Sequence, residues 1–102
     1  MNELVLDADT NARLRYRVPS SGLFEFSIEA DEPVASYIVR PGGLEEFDQG
    51  KKRFRYYGGF PEARKVQHQF LKLPYSGTHY LLIVNRDARR VRVKYDVLLP
   101  RS

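Results

Sequence analysis

Hydrophobic and polar residues alternate one by one along much of this chain, the period of a strand with a single buried face. In Ala12–Val18, Leu14, Tyr16 and Val18 fall on one side and Arg13, Arg15 and Arg17 on the other. In Leu23–Ala30, Phe24, Phe26 and Ile28 oppose Glu25, Ser27 and Glu29. Val91–Leu99 repeats the pattern, with Val91, Val93, Tyr95, Val97 and Leu99 against Arg90, Arg92, Lys94 and Asp96. Val34–Arg40 and Thr78–Asn85 carry apolar residues on both sides, which predicts strands covered on both faces. Glu3–Asp7 is a short strand. Arg64–Leu73 changes parity between Phe70 and Leu71, which predicts a β-bulge or bend near Phe70.

Turn residues separate these pieces: Asp7–Asn11, Pro19–Gly22, Asp31–Pro33, Pro41–Gly43, Phe60–Glu62 and Pro74–Gly77. Two hairpins follow from the pattern. Folding about Ser21 sets Val18, Tyr16 and Leu14 opposite Phe24, Phe26 and Ile28, and sets Arg17 against Glu25 and Arg13 against Glu29. Folding about Arg86–Arg89 pairs Asn85 with Arg90, Leu82 with Val93 and Tyr80 with Tyr95. Pro100–Ser102 is a tail.

The most information-rich stretch is Phe47–Gly59. Leu44–Asp48 reads as one helical turn spanning residues 43–49, and Gly50 ends it. A basic-aromatic strand follows, with Arg53, Arg55 and Tyr57 on one face and Phe54 and Tyr56 on the other. Gly58-Gly59 closes it and permits a positive-φ turn or a close backbone approach. Arginines interleaved with rings also compose single-strand nucleic-acid platforms, where bases stack and phosphates meet guanidinium groups. Rings packed in a core behind a solvated arginine face give the same pattern.

These readings sum to one all-β domain over residues 1–102: an antiparallel, jelly-roll-like β-sandwich of about eight short strands with one helical turn. A compact barrel is the alternative. The thirteen aromatics, seven tyrosine and six phenylalanine, suit strands. Seventeen basic and 13 acidic side chains leave a net charge of +4, a mild basic surface that attracts anions weakly. There is no cysteine, which excludes disulfides, thiolate nucleophiles and cysteine-ligated metals. The N-terminus has no basic, apolar leader and no run approaches a membrane span, so a cytoplasmic protein is expected.

Catalytic chemistry finds little support. His68 and His79 lie on different predicted strands, with no carboxylate at a telling spacing for a metal or proton-transfer site. The serines sit in turns, without a Gly-x-Ser-x-Gly elbow. Neither glycine pair carries the lysine and helix of a phosphate-binding loop. Glu45, Glu46 and Asp48 form an acidic knot that caps or solvates the helical turn, near Lys51 and Lys52.

Phe47-x-x-Gly50 followed by Arg53-Phe54-Arg55-Tyr56-Tyr57-Gly58-Gly59 resembles the signature of a small bacterial family, domain of unknown function 1883. A strand at Gly22–Ile28, an extended Val34–Val39 and Ser76–Tyr80 entering an apolar strand fit the likeness, which covers roughly Gly22 to Val97. The resemblance implies a compact β-sandwich, alone or beside a TIR-type signalling domain, and carries over no catalytic residue. The chain departs from it in lacking a tryptophan near Tyr80.

The expected function is that of a non-enzymatic binding or interaction module without cofactor or metal. Its candidate surface comprises Lys51, Arg53, Arg55, Tyr57, Gly58 and Gly59, joined by Arg90, Arg92 and Lys94 where the strands adjoin. Arg13, Arg15 and Arg17 are a third basic face. The expected partner is another protein or an anionic ligand; single-stranded nucleic acid is the alternative.

Overall fold

The computed structural model describes residues 1–100; Arg101 and Ser102, in the expected tail, lie outside the described residues. Among the described residues, six strands and one helix follow in the order β1 (Asn2–Leu6), β2 (Asn11–Val18), β3 (Leu23–Val39), α1 (Pro41–Asp48), β4 (Gly58–Lys72), β5 (Gly77–Val84) and β6 (Val91–Leu98). All pairings are antiparallel. They build one curled sheet, a half-barrel in the order β1-β6-β3-β5-β2, with β4 also on β3.

Six strands replace the expected eight for two reasons. Leu23–Ala30 and Val34–Val39 are one continuous strand, because Asp31–Pro33 makes an irregularity within β3 and not a turn. The stretch Arg53–Tyr57 is not a strand at all, and Gly58-Gly59 opens β4 where it was expected to close a strand. The expected Phe60–Glu62 loop also lies inside β4.

β3 organises the molecule. Its first half pairs with β6, from Glu25 with Leu98 to Ala30 with Val93, and its second half pairs with β5, from Ala35 with Val84 to Val39 with Tyr80. β4 follows it along the other edge. The sheet thus has a first half (β1, β6, start of β3, end of β4) and a second half (β2, β5, end of β3, start of β4). The register slips where they join: Glu29 pairs with Val66, Val34 with Arg64 and Ser36 with Phe60. Buried side chains satisfy the backbone groups that the slip leaves unpaired. Gln67 Nε2 donates to the Val34 carbonyl at 2.7 Å, and Ser36 Oγ accepts from Phe60 N at 3.0 Å while bonding Gln67 Oε1. The irregularity therefore falls near Arg64 and Val66. Around Phe70 the pairing runs unbroken, and Phe70 itself points outward, 55% exposed.

Both expected hairpins are absent. β2 pairs with β5, placing Tyr16 opposite His79 and Arg17 opposite Thr78. The Pro19–Gly22 segment does turn, with Gly22 N donating to Pro19 O at 2.9 Å. It is a corner, however, carrying the chain from one half of the sheet to the other. Asn85–Arg90 is a second corner. Asn85 is buried, and its amide donates to the carbonyls of Leu6, Asp7 and Arg89, tying that corner to the β1–β2 turn. The alternation reported which side chains face inward, and those assignments hold: Val18, Phe24, Phe26, Ile28, Val91 and Val93 share one core with Leu81 and Ile83. Tyr16 and Phe24 meet edge-on with centroids 6.0 Å apart, across the core and not as strand neighbours.

A smaller core covers the outer face of the second half. Ala35, Tyr37, Val39, Leu82 and Val84 receive Leu44 and Phe47 from α1 and Phe54 from the segment after it. Strand β3 is therefore buried on both faces over Val34–Val39, as its composition predicts. The helical turn is present too. It starts at Pro41, which suits the first helical position, and Gly50 beyond its end has φ +75°. No helix among the described residues is long and apolar enough to cross a membrane.

Candidate anion-binding cleft

The expected binding residues do not form one surface. Arg92 and Lys94 lie on β6 and Arg90 immediately precedes it; they alternate with Val91 and Val93 of the shared core, so they face outward from the first half. Arg53 and Arg55 belong to the segment covering the second half. The β6 cations also meet carboxylates. Arg90 Nε is 2.9 Å from Asp7, Arg92 Nε is 3.3 Å from Glu3, and Lys94 stands between Glu3 and Glu29 in the ladder. Gly58 and Gly59 pair with Ile38 and Tyr37 inside the sheet. Their lack of a side chain serves packing: a Cβ on Gly59, at φ +105°, would collide with the Ser36 carbonyl. Lys51 and Arg53 are exposed after α1. Phe54 is packed between Tyr37 and Phe47, at centroid distances of 4.8 and 5.3 Å.

Arg55 and Tyr57 do come together, with residues outside the expected set. Along with Arg40, Pro41, Gly42, Gly43 and Tyr75 they line an open cleft of about 330 Å³ at the start of α1. Arg40 is the residue before the helix and makes no side-chain cap, so the first-turn amides of Gly42 and Gly43 have no intrahelical acceptor. Its guanidinium lies 4.5 Å from the centre of the Tyr75 ring, and its Nε is buried without a hydrogen-bond partner. Tyr75 meets Tyr57 edge-on at 5.7 Å.

Arg55 reaches the cleft because two glycines allow it. A Cβ on Gly43 would strike the Arg55 carbonyl, and one on Gly42 would lie 2.9 Å from an Arg55 Nη. Glu46 steers the same residue: its Oε1 accepts from Arg55 N and from Nε, both at 3.2 Å. Those bonds, the backbone one first, hold the Glu46 carboxyl below its ordinary pKa. With Nε engaged, the outer guanidinium nitrogens of Arg55 remain available toward the helix. The cleft thus combines two guanidinium groups, a helix N-terminus and two phenols, a set of donors suited to an anion.

The two histidines stand far apart in role. His68 is on the outward face of β4, 2.7 Å from Glu25, a pairing that sequence spacing did not reveal. His79 is fully buried on the inward face of β5, one ladder step beyond the Val39–Tyr80 pair and so beside Arg40. Its Nδ1 lies 3.0 Å from Gly77 O, and its Nε2 has no partner. Burial pushes its pKa below the ordinary 6.5; the Gly77 bond opposes this and the Arg40 charge adds to it.

A second cavity, of about 380 Å³, lies at the other end of the β3–β5 pairing, beside Ala35 and Val84. Its one arginine, Arg86, is bonded to Tyr37 Oη at 2.9 Å, so no free cations converge there. Sequence reasoning missed Arg40 and Tyr75. Arg40 had a signal, since it immediately precedes the Pro-Gly-Gly start of the helix; Tyr75 sits in a turn that nothing in the sequence directs toward Arg55. Compared with known proteins, the chain matches no family model, and no curated protein is similar to it.

Proposed function

We propose that the protein is a non-enzymatic binding module that takes an anionic group, phosphate or carboxylate, in the cleft formed by Arg40, the first turn of α1, Arg55, Tyr57 and Tyr75. One observation carries this reading: two arginines converge on an uncapped helix start, and one of them keeps a buried N–H without a partner. A buried donor left unpaired costs about 1–3 kcal/mol. Non-enzymatic is part of the reading because neither histidine faces a nucleophile across the cleft: His68 is outside on β4 and His79 is sealed in the core. The likeness to domain of unknown function 1883 belongs here as well. The single curled antiparallel sheet around one core is compatible with the compact all-β domain that the likeness implies. The nucleic-acid alternative is weakened by the pairing of Arg90 and Arg92 with carboxylates and by the packing of the half-buried Phe54 against Tyr37 and Phe47.

Titration calorimetry with inorganic phosphate and with acetate at low ionic strength tests the proposal. Saturable binding is expected, weakened about tenfold or more by Arg40→Gln or Arg55→Gln, since a hydrogen bond to a charged group contributes about 1.5–3 kcal/mol. Arg92→Gln, on the far face, leaves it unchanged. Absence of saturable binding, or equal loss in Arg92→Gln, overturns it.

A further inference from the structure

Among the described residues strand β2 ends the sheet and pairs only with β5, so its other edge offers a row of backbone N–H and C=O groups across eight residues. Its outward side chains, Arg13, Arg15 and Arg17, are all exposed, and its sequence contains no acid. Of these three arginines only Arg13 has an ion pair among the described residues, with Asp48; Arg15 and Arg17 have none there. Between them Leu14 and Tyr16 are half-buried, so the inner side of this edge is apolar.

An unpaired edge invites either a second copy or a foreign strand. Charge decides between them. Antiparallel pairing of two β2 strands about Arg15 would set Arg15 against Arg15 and Arg13 against Arg17, and like charges directly opposite are destabilising. An extended segment with acids at every second position has the same two-residue repeat as the arginines, and in register it sets a carboxylate against each one. Its intervening residues would extend the apolar side beside Leu14 and Tyr16. Nucleic acid could answer the charge but not the ladder of backbone groups.

We infer that β2 is a docking edge for an acidic, extended peptide segment of a partner protein, alternating acidic and apolar residues, which adds to the sheet as a seventh strand. This surface is separate from the cleft and stands or falls without it.

The test uses a fluorescein-labelled peptide of alternating Glu and Val, its Lys–Val counterpart, a version N-methylated at alternate amides, and an oligodeoxythymidine of equal charge. Anisotropy is read alongside hydrogen exchange of the Asn11–Val18 amides. The acidic peptide is expected to bind, slow exchange in β2 and weaken as salt rises, while the lysine and N-methylated peptides do not bind. Arg15→Glu/Arg17→Glu, and the milder Arg15→Gln/Arg17→Gln should the first unfold, are expected to weaken binding about tenfold or more, whereas Arg90→Glu does not. Binding that survives N-methylation, leaves β2 amides unprotected or ignores the Arg15 and Arg17 variants overturns the inference. So does equal binding of the oligodeoxythymidine, which would make the edge a site of charge alone, and so does no binding of the acidic peptide at low salt.

Discussion

Arg13 holds Asp48 through two parallel bonds, Nη1 to Oδ2 at 2.7 Å and Nη2 to Oδ1 at 2.8 Å, joining edge strand β2 to the last residue of α1. An acid at a helix C-terminus opposes the helix dipole, and the guanidinium offsets that. Each member also shifts the other. The Asp48 carboxyl is held below its ordinary pKa by the bond from Arg13, and the Arg13 guanidinium is raised by the bond to Asp48.

Removing either partner should loosen the helix from the sheet. Both side chains are more than a third exposed, so solvent screening limits the pair to about 1 kcal/mol or less. Urea unfolding of Arg13→Ala, Asp48→Ala and the double variant should give single losses in that range and a positive coupling that shrinks as salt is raised. Strictly additive losses would contradict the account.

The same bridge shows where sequence reasoning stops. Alternation assigned Arg13 to an outward face, and it is outward. Alternation also suggested Glu29 as its partner, and that was wrong, because period two fixes a residue's side of the sheet without naming the neighbouring strand. Three connections, at Asp7–Thr10, Pro19–Gly22 and Asn85–Arg90, are corners between sheet halves, though their turn residues would serve a hairpin equally well. Asp31–Pro33 misleads for a related reason: the proline interrupts a ladder, but Gln67 and Ser36 repair it from inside and β3 continues. The cleft was legible only in Arg55 and Tyr57. Its other arginine depends on where β3 ends and α1 begins, and Tyr75 arrives through a tertiary contact.

Gly59 combines a positive φ with contact against the Ser36 carbonyl, whereas Gly50 has a positive φ and open space. Gly59→Ala should therefore cost about 2 kcal/mol or more, from backbone strain and the clash together. Gly50→Ala should cost only about 1 kcal/mol, from the backbone alone. Thermal or chemical denaturation of both variants checks the ordering, and equal losses would show that the close approach at Gly59 does not matter.

His79 predicts a pH dependence. Its folded pKa lies below the unfolded value near 6.5, so above that pH both states are neutral and its full stability is present. As pH falls below 6.5, the unfolded chain takes up a proton that the folded chain resists, and stability declines toward the folded pKa. Glu46 and Asp48, whose pKa values are lowered, act in a separate window below their ordinary 4.5 and 3.8. In a His68→Gln background, the denaturation midpoint should drop between pH 7 and pH 5, and His79→Gln should flatten that drop. An identical slope in the His79 variant would refute the assignment.

The most direct measurement is a two-dimensional amide NMR titration with inorganic phosphate. Binding in the cleft predicts saturable shifts centred on Gly42, Gly43, Leu44 and Arg55, reporting one common dissociation constant, with the Arg90–Lys94 amides unmoved. Shifts spread evenly over both arginine-bearing faces without saturation, or no shifts in the first turn of α1, would contradict the claim that this cleft is where the protein recognises an anion.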